Sequence, residues 1–300
     1  MTLIATGTAI HPRGPKPQRL TVPRLGLYLF LICAAAFFLL PAYVMVLTSL
    51  KSMDEIRQAH IFVWPQAFDL SAWATAWGNA CAGNDCQGVA FGFWNSVKIA
   101  VPSTIISVLF GALNGYALSF WRAPGSKLLF GTIVILGFIP LQVFMYPMVR
   151  VLATIGIFGS LAGIVTVHVV FSVPLVTLLF RNYYASIPIE LFKAARVDGA
   201  GFWRIFTSIM LPMSTPMLVV ASLMQLTGIW NDFLLGLVFA GRDNLPMTVQ
   251  LNNIVNTTMG ERFYNVNMAA TILTAAVPLI AYFVSGRWFV RGITAGSVKG

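Results

Sequence analysis

Six long apolar stretches constrain the fold of this 300-residue chain more than any other feature. Each reaches or exceeds the roughly 20 residues that a helix needs to cross about 30 Å of hydrocarbon. They lie near 25–48, 93–120, 128–150, 158–180, 214–240 and 267–290. With 58% hydrophobic and 9% charged residues, the chain cannot cover itself with polar groups as a soluble domain does. Because lipid offers no hydrogen-bond partners and the alternating segments of a β-barrel are missing, we expect an all-α polytopic membrane protein with six transmembrane helices.

The 19 basic residues predict how these spans are oriented. One side of the membrane receives Arg13, Lys16, Arg19, Arg24, Arg122, Lys127, Arg181, Lys193, Arg196, Arg204, Arg287, Arg291 and Lys299. The other side receives Lys51, Arg57, Lys98, Arg150, Arg242 and Arg262. The positive-inside rule therefore places both termini in the cytoplasm of a multi-pass protein of the inner (plasma) membrane. Since these charges are scattered over short loops, they form no basic patch for nucleic acid.

The spans divide the chain into three parts. Residues 1–24 hold four prolines among basic residues and predict an unfolded cytoplasmic tail. Residues 25–290 form the transmembrane domain, which contains a polar loop at 182–213, and residues 291–300 form a second cytoplasmic tail.

The longest loop on the other side, about 51–91, contains Cys81 and Cys86 on either side of a flexible turn. A disulfide between them and two free thiols are equally compatible with the sequence, and an oxidising compartment would favour the bond. The three histidines lie far apart and provide no ligand cluster, so no metal site is expected.

The segment 186–212 is too polar to span a bilayer and too apolar to lie free in water. Pro188 at the first helical position, Glu190 in the first turn and Gly199 as a left-handed stop predict a short helix followed by a second one. Two short helices therefore project from the membrane, and we expect a protein partner to cover them.

Asp232 lies deep in the fifth apolar stretch, where an ionisable side chain is expensive and is a candidate for function. With Trp230 and Asn231 it would suit a translocation pathway, because carboxylate and amide groups bond sugar hydroxyls and an indole stacks on a sugar face. The alternative is structural: a hydrogen bond between helices, or a break in the helix. Prolines and glycines in the spans permit bends and close helix contact; they are Pro102, Pro140, Pro147, Pro174, Pro278, Gly111, Gly115, Gly137 and Gly163.

No Gly-Lys dipeptide occurs in the chain, which excludes the phosphate-binding loop of P-loop ATPases. No catalytic constellation or series of intramembrane carboxylates is evident either. The chain is therefore predicted to be non-enzymatic, to bind no cofactor and to receive energy from another subunit. The alternative to a chain energised by another subunit is an ion-coupled secondary transporter or channel. The presence of only one intramembrane acid and the lack of an evident inverted repeat argue against this alternative.

The segment 186–212 closely resembles the cytoplasmic signature loop of ATP-binding-cassette importer permeases. The family pattern is Glu-Ala-Ala, a glycine three residues later and Ile-x-Leu-Pro about a dozen residues on. Its counterparts here are Ala194, Ala195, Gly199, Ile209, Leu211 and Pro212. Asp198, Ala200 and Phe202 are similar to the maltose-type carbohydrate branch, as is the C-terminal stretch 289–300. Lys193 departs from the pattern, because it stands where the family most often has the glutamate.

The resemblance implies a permease subunit that forms half of a sugar pathway. It implies a second, non-identical permease subunit, two copies of a cytoplasmic ATPase that uses ATP and Mg, and a periplasmic or extracellular sugar-binding protein. The ATPase contacts implied are Glu190, Lys193, Ala194, Ala195, Arg196, Asp198 and Gly199. Both alanines would let the helix seat closely in the ATPase cleft. Arg196 and Asp198 have two alternative roles, contact with the partner or bracing of the second short helix.

The resemblance also bears on the sugar. The loop at 245–253 matches the place where the family's loop reaches into the binding protein, so Asn252, Asn253 and Asn256 are candidates for displacing sugar from it. An ordinary solvated loop is the alternative. The stretches 193–201 and 230–233 look most like those of glucose or mannose permeases, with α-glucoside permeases next.

Overall fold

A computed structural model describes residues 21–58, 60–121, 124–257 and 261–297, with side chains as far as Gly286. Within these ranges no strand forms, and Ala82 and Asp85 make an isolated bridge. The α-helices are α1 Val22–Ser49, α2 Met53–Arg57, α3 Ser71–Gly78, α4 Ala90–Phe120, α5 Ser126–Phe138, α6 Leu141–Thr154, α7 Leu161–Tyr184, α8 Ile189–Val197, α9 Phe202–Ile205, α10 Leu211–Met213, α11 Thr215–Asn231, α12 Leu234–Phe239, α13 Met247–Val255 and α14 Tyr264–Ser297. A π-helical turn, Phe206–Met210, joins α9 to α10, and a 3₁₀ turn, Arg242–Asn244, precedes α13.

The all-α polytopic class is confirmed. By length and composition, α1, α4, α7 and the first part of α14 can each cross a membrane. The number rises to as many as six if each of two bent pairs is one span: α5 with α6, and the segment Phe202–Met213 with α11. A boundary between Met45 and Val46 separates most of α1 from the remaining compact unit.

Two of the predicted spans are not continuous helices. The stretch 128–150 breaks between α5 and α6 with a bend of 105°. Pro140 has no N–H to donate and holds Ile139 in an extended conformation, so the helix ends there. The stretch 214–240 breaks between α11 and α12, where Asp232 is extended. By contrast, Pro102, Pro147, Pro174 and Pro278 lie inside uninterrupted helices.

Helices α4 and α7 form the most extensive helix pair. A row of small residues, each four positions from the last, lies on the buried face of α4: Ser103, Ser107, Gly111 and Gly115. A methyl group added at Gly111 would meet Val176, and one added at Gly115 would meet Phe180 and the backbone of Arg181. Small residues at this spacing let two membrane helices approach closely, so α4 and α7 make one tightly packed unit.

The helical ends differ from the predicted domain boundaries. Helix α1 begins at Val22, inside the predicted N-terminal tail, and α14 runs to Ser297, past the predicted end of the last span at 290. Residues 1–20 and 298–300 of the predicted tails lie outside the described residues.

Candidate functional site

Residues 186–212, which we call the projecting segment, have the predicted form of two short helices separated at Gly199. Helix α8 has Glu190 in its first turn, and Gly199 is left-handed with φ +78°. The backbone N–H of Ala200 donates to the carbonyl of Ala195 at 2.9 Å, and that of Gly199 donates to Arg196 at 3.1 Å. This is the geometry with which glycine commonly closes a helix. Pro188 is the residue that precedes the first helical residue, one position earlier than predicted.

Seven aromatic rings, which we call the aromatic seat, hold this segment against the ends of α4 and α7. They are Tyr116, Phe120, Trp121, Tyr184, Phe192, Phe202 and Phe206. The Phe192 ring of α8 stacks on Phe120 with 5.0 Å between centroids. The Tyr116 hydroxyl donates to the carbonyl of Phe202 at 3.2 Å. Aromatic pairs of this kind contribute about 0.5–1.5 kcal/mol each beyond burial, so the segment is a fixed part of the helix bundle.

The opposite face of α8 is exposed. Glu190, Lys193, Ala194, Asp198 and Gly199 are all accessible, and the apolar side chains Val197 and Trp203 beside them are 87% and 63% exposed. Among the described residues, none forms a salt bridge with Glu190, Lys193 or Asp198. The arrangement leaves a mixed apolar and charged surface.

One residue expected on this surface, Ala195, faces the chain instead, and another, Arg196, is exposed but also contacts the chain. Ala195 is only 7% exposed and packs among the residues of the aromatic seat, so the expectation that both alanines meet a partner is wrong for Ala195. Its small size allows α8 to approach its own bundle. The guanidinium of Arg196 lies 4.9 Å over the Trp121 ring and braces α8 against the end of α4.

Asp232 occupies the break between α11 and α12. Its Oδ2 atom accepts from the backbone N–H of Gly236 at 3.0 Å, in the first turn of α12. Its backbone carbonyl accepts from the Thr248 hydroxyl at 2.6 Å. His168 Nε2 of α7 lies 4.0 Å from the same Oδ2. These contacts match the structural alternative, in which the carboxylate marks and caps a broken helix.

Trp230 does not offer its ring to a ligand in this conformation. The indole is 2% exposed, its Nε1 donates to the Thr274 carbonyl at 3.0 Å, and it packs edge-on against Phe93. The hypothesis that Trp230 stacks on a sugar face is therefore wrong for this structure, because its ring is packed inside the helix bundle. Asn231 is exposed and makes no side-chain hydrogen bond to a described residue.

Beyond the break lies an open groove of about 350 Å³, which we call the α13 groove. Its walls are Phe233, Thr248, Leu251, Asn252, Val255, Asn256 and Thr271. Asn252 and Asn256 thus share one surface, whereas Asn253 is exposed and does not line it. The sequence did not predict that Phe233, Thr248 and Thr271 line this groove, because they meet only when α12, α13 and α14 pack together.

The loop expected at 245–253 is largely helix α13. Met247, Gln250 and Ile254 are buried, at the three- and four-residue spacing that marks a helix with one packed face. The backbone N–H of Met247 donates to the Ser96 hydroxyl of α4 at 2.8 Å, and the Asn95 amide donates to the carbonyls of Asp243 and Leu245. The spacing of the buried residues is visible in the sequence, and the hydrogen bonds to α4 hold α13 in a fixed position.

On the same side of the bundle, the structure joins Cys81 and Cys86 in a disulfide. The Lys51 ammonium donates to the carbonyl of His60 at 2.7 Å. Asp69 accepts hydrogen bonds from Ser71, and these bonds hold the pKa of its carboxyl below the usual value. Within the described ranges, no three potential metal ligands cluster.

Known proteins similar to this chain were found at the level of family, sequence and fold. The family model described as "Binding-protein-dependent transport system inner membrane component" matches residues 97–295. An osmoprotective compounds uptake permease protein of Synechocystis sp. is 39% identical over 215 residues, which are 71% of this chain and 72% of the relative. An alpha-glucoside transport system permease protein of Rhizobium meliloti is 39% identical over 220 residues, which are 71% of this chain and 57% of that relative.

The fold is also similar to that of a solved structure, a bacterial ABC transporter involved in the import of the acidic polysaccharide alginate. The TM-score is 0.75 at 20% identity, and the match covers 91% of this chain and 100% of that one. At this identity the likeness shows the fold alone.

Proposed function

The chain belongs to the family of binding-protein-dependent transport system inner membrane components, and from this premise we propose how it takes part in sugar import. It is a non-catalytic, multi-pass permease subunit of a sugar ABC importer, and ATP hydrolysis belongs to a partner ATPase. We propose that it forms half of the translocation pathway and couples to that ATPase through 186–212. The observation that carries this proposal is the two-sided character of α8, which is anchored to the bundle on one side and exposed on the other.

The aromatic seat supports a mechanical role for α8. Phe192 stacks on Phe120 at the end of α4, and Tyr183 at the end of α7 donates to the carbonyl of Met213 at 2.7 Å. A displacement of α8 by an ATPase therefore acts directly on the ends of α4 and α7. Since these two helices are packed through small residues, they would move together as a rigid pair rather than slide past each other.

The exposed face of α8 supports a partner with a matching surface. Val197 and Trp203 supply apolar contact, and Ala194 leaves room for close approach. Lys193 supplies a positive charge where related permeases most often carry a negative one. The partner ATPase is accordingly expected to place an acidic side chain opposite Lys193.

Charge reversal at Lys193 tests this contact. In the assembled transporter, Lys193→Glu is expected to weaken ATPase docking and lower sugar-stimulated ATP hydrolysis, and an acidic-to-basic change on the ATPase should restore both. Lys127→Glu is the control, because it makes the same charge change at an exposed lysine outside the projecting segment. If Lys193→Glu leaves assembly and stimulation at the level of the control, the polar contact is unimportant.

The proposed assembly contains a second, non-identical permease subunit and two copies of the ATPase, which use ATP and Mg. Both termini and the projecting segment would lie in the cytoplasm, as the distribution of basic residues predicts. A sugar-binding protein would dock on the other side, near the disulfide and the α13 groove. Excision of 186–212 should abolish ATPase docking and uptake, and retention of both would refute this arrangement.

The proposed substrate is glucose, mannose or an α-glucoside. The similarity to an α-glucoside transport permease supports the last of these. Thermal stabilisation of the cognate binding protein across a panel of sugars would identify the substrate. Sugar uptake driven by an ion gradient without the ATPase would instead favour a secondary transporter, but Asp232, the intramembrane acid that such a carrier would use, serves here as a helix cap.

A further inference from the structure

We propose that the α13 groove is a contact site for a single sugar ring, with Phe233 as its stacking platform and Asn252 and Asn256 as its hydrogen-bonding groups. This inference rests on the proposed function as a sugar permease. It joins two regions that the sequence presents separately: the broken span at 230–233 and the polar residues at 252–256. It also moves the aromatic contact from Trp230 to Phe233.

The chemistry of the groove matches a carbohydrate. Phe233 is 37% exposed, so part of its ring face is available, whereas Trp230 is buried. The polarised C–H groups on one face of a pyranose ring pack well against an aromatic ring, and the hydroxyls at its edge need both donors and acceptors. A carboxamide offers both, because its oxygen accepts and its NH₂ group donates.

The two amides have unused hydrogen-bonding capacity. The side chains of Asn252 and Asn256 form no hydrogen bond with any residue in the described ranges. The two hydroxyls of the groove are already engaged: Thr248 donates to Asp232, and Thr271 donates to the carbonyl of Asn267 at 2.8 Å. Each of these hydroxyl oxygens retains lone pairs that can accept from a sugar.

The groove is also held in place before any ligand arrives. Met247 anchors α13 to α4 through the bond to Ser96, and Thr248 ties α13 to the helix break that positions Phe233. Groups fixed on packed helices lose little entropy when a ligand binds. At about 350 Å³ the groove lies at the small end of the roughly 300–1,000 Å³ typical of small-molecule sites, which suits one sugar ring.

The test uses the complete transporter in lipid vesicles, with its partner permease, ATPase and binding protein. Transfer of radiolabelled sugar into the vesicles is measured with the loaded binding protein at saturating concentration, so that its own affinity does not limit the rate. The variants are Phe233→Leu, Phe233→Tyr and Asn252→Leu. The matched controls are Leu237→Ala, which changes an exposed residue of α12, and Gln66→Leu, which removes an exposed amide outside the groove.

Loss of the ring in Phe233→Leu should slow transfer by about three- to tenfold, the range for one aromatic contact, and Phe233→Tyr should retain most of the rate. Asn252→Leu should slow transfer by a similar factor, while the concentration of binding protein that gives half-maximal ATPase stimulation stays unchanged. The two control variants should transport at the wild-type rate.

Three outcomes would overturn the proposal. Transport at the control rate by both Phe233→Leu and Asn252→Leu would show that the groove does not contact sugar. If Asn252→Leu weakens only the docking of the binding protein and transports normally at saturation, the groove is a contact for the protein partner. If the wild-type assembly imports no sugar at all, the proposed function itself fails and the inference falls with it.

Discussion

The close packing of α4 and α7 predicts that Gly115→Ala destabilises the protein, although alanine is the better helix former. The added Cβ would lie 2.7 Å from the Cβ of Phe180 and 2.8 Å from the backbone nitrogen of Arg181, whereas ordinary contact begins at 3.4 Å. Part of the obstruction is backbone, so a change of rotamer cannot relieve it. Either α7 must move away or both helices must distort.

The magnitude follows from opposing effects. Replacing glycine by alanine inside a helix favours folding by about 1 kcal/mol, whereas overpacking a close interface costs typically about 1–3 kcal/mol and occasionally more. Because a shift of α7 would also loosen contacts along the whole row of small residues, we expect overpacking to win by about 2 kcal/mol. The thermal midpoint of the purified transporter should fall by roughly 4–8 °C.

Gly131→Ala provides the matched control. Gly131 lies inside α5, and a Cβ added there meets no atom within 4 Å, so helix propensity acts alone. This variant should be as stable as the wild type or about 1 kcal/mol more stable. The reasoning is refuted if Gly115→Ala melts at or above the temperature of Gly131→Ala in the same detergent.

Two further substitutions test the helix break and the aromatic seat. Asp232→Ala leaves the N–H of Gly236 without its acceptor and should lower stability by about 1–2 kcal/mol, whereas Asp232→Asn keeps an acceptor oxygen and should lose less, as measured by unfolding of the purified complex. Phe192→Ala removes the ring that contacts Phe120 and Trp121, so ATPase stimulation should fall while membrane insertion and expression stay normal, and unchanged stimulation would count against the seat as a mechanical link.

The spans and the projecting helices were predictable because strong local rules govern them. Hydrocarbon admits backbone only as hydrogen-bonded helix, so the length of an apolar stretch is enough to locate a span. The turn at Gly199 follows equally from a single residue, because glycine accepts positive φ. The spans and this turn need no information from distant parts of the chain. The break at Pro140 does not follow from a single residue, because Pro102, Pro147, Pro174 and Pro278 lie inside uninterrupted helices.

The orientation of individual side chains was less predictable, because distant contacts decide it. Ala194 and Ala195 are neighbours of identical chemistry, yet only Ala195 is buried, since it faces rings that come from α4. Trp230 is likewise buried, because its indole bonds to Thr274 and packs against Phe93. Such choices depend on how helices pack in three dimensions, and a single sequence does not record that packing.

The contacts at Asp232 connect the projecting segment to the α13 groove through one helix. Helix α7 carries Tyr184 of the aromatic seat, and it also carries His168, whose Nε2 lies 4.0 Å from the Asp232 carboxylate. The backbone carbonyl of Asp232 in turn holds Thr248 of α13. Packed helices shift as units rather than deform continuously. A displacement of α7 by a partner on α8 is therefore absorbed where a helix is already interrupted. The break at 232–233 is such a place, and Phe233 lines the α13 groove. We therefore expect changes at Asp232 to alter the coupling between ATP hydrolysis and sugar transfer more than they alter either activity measured alone.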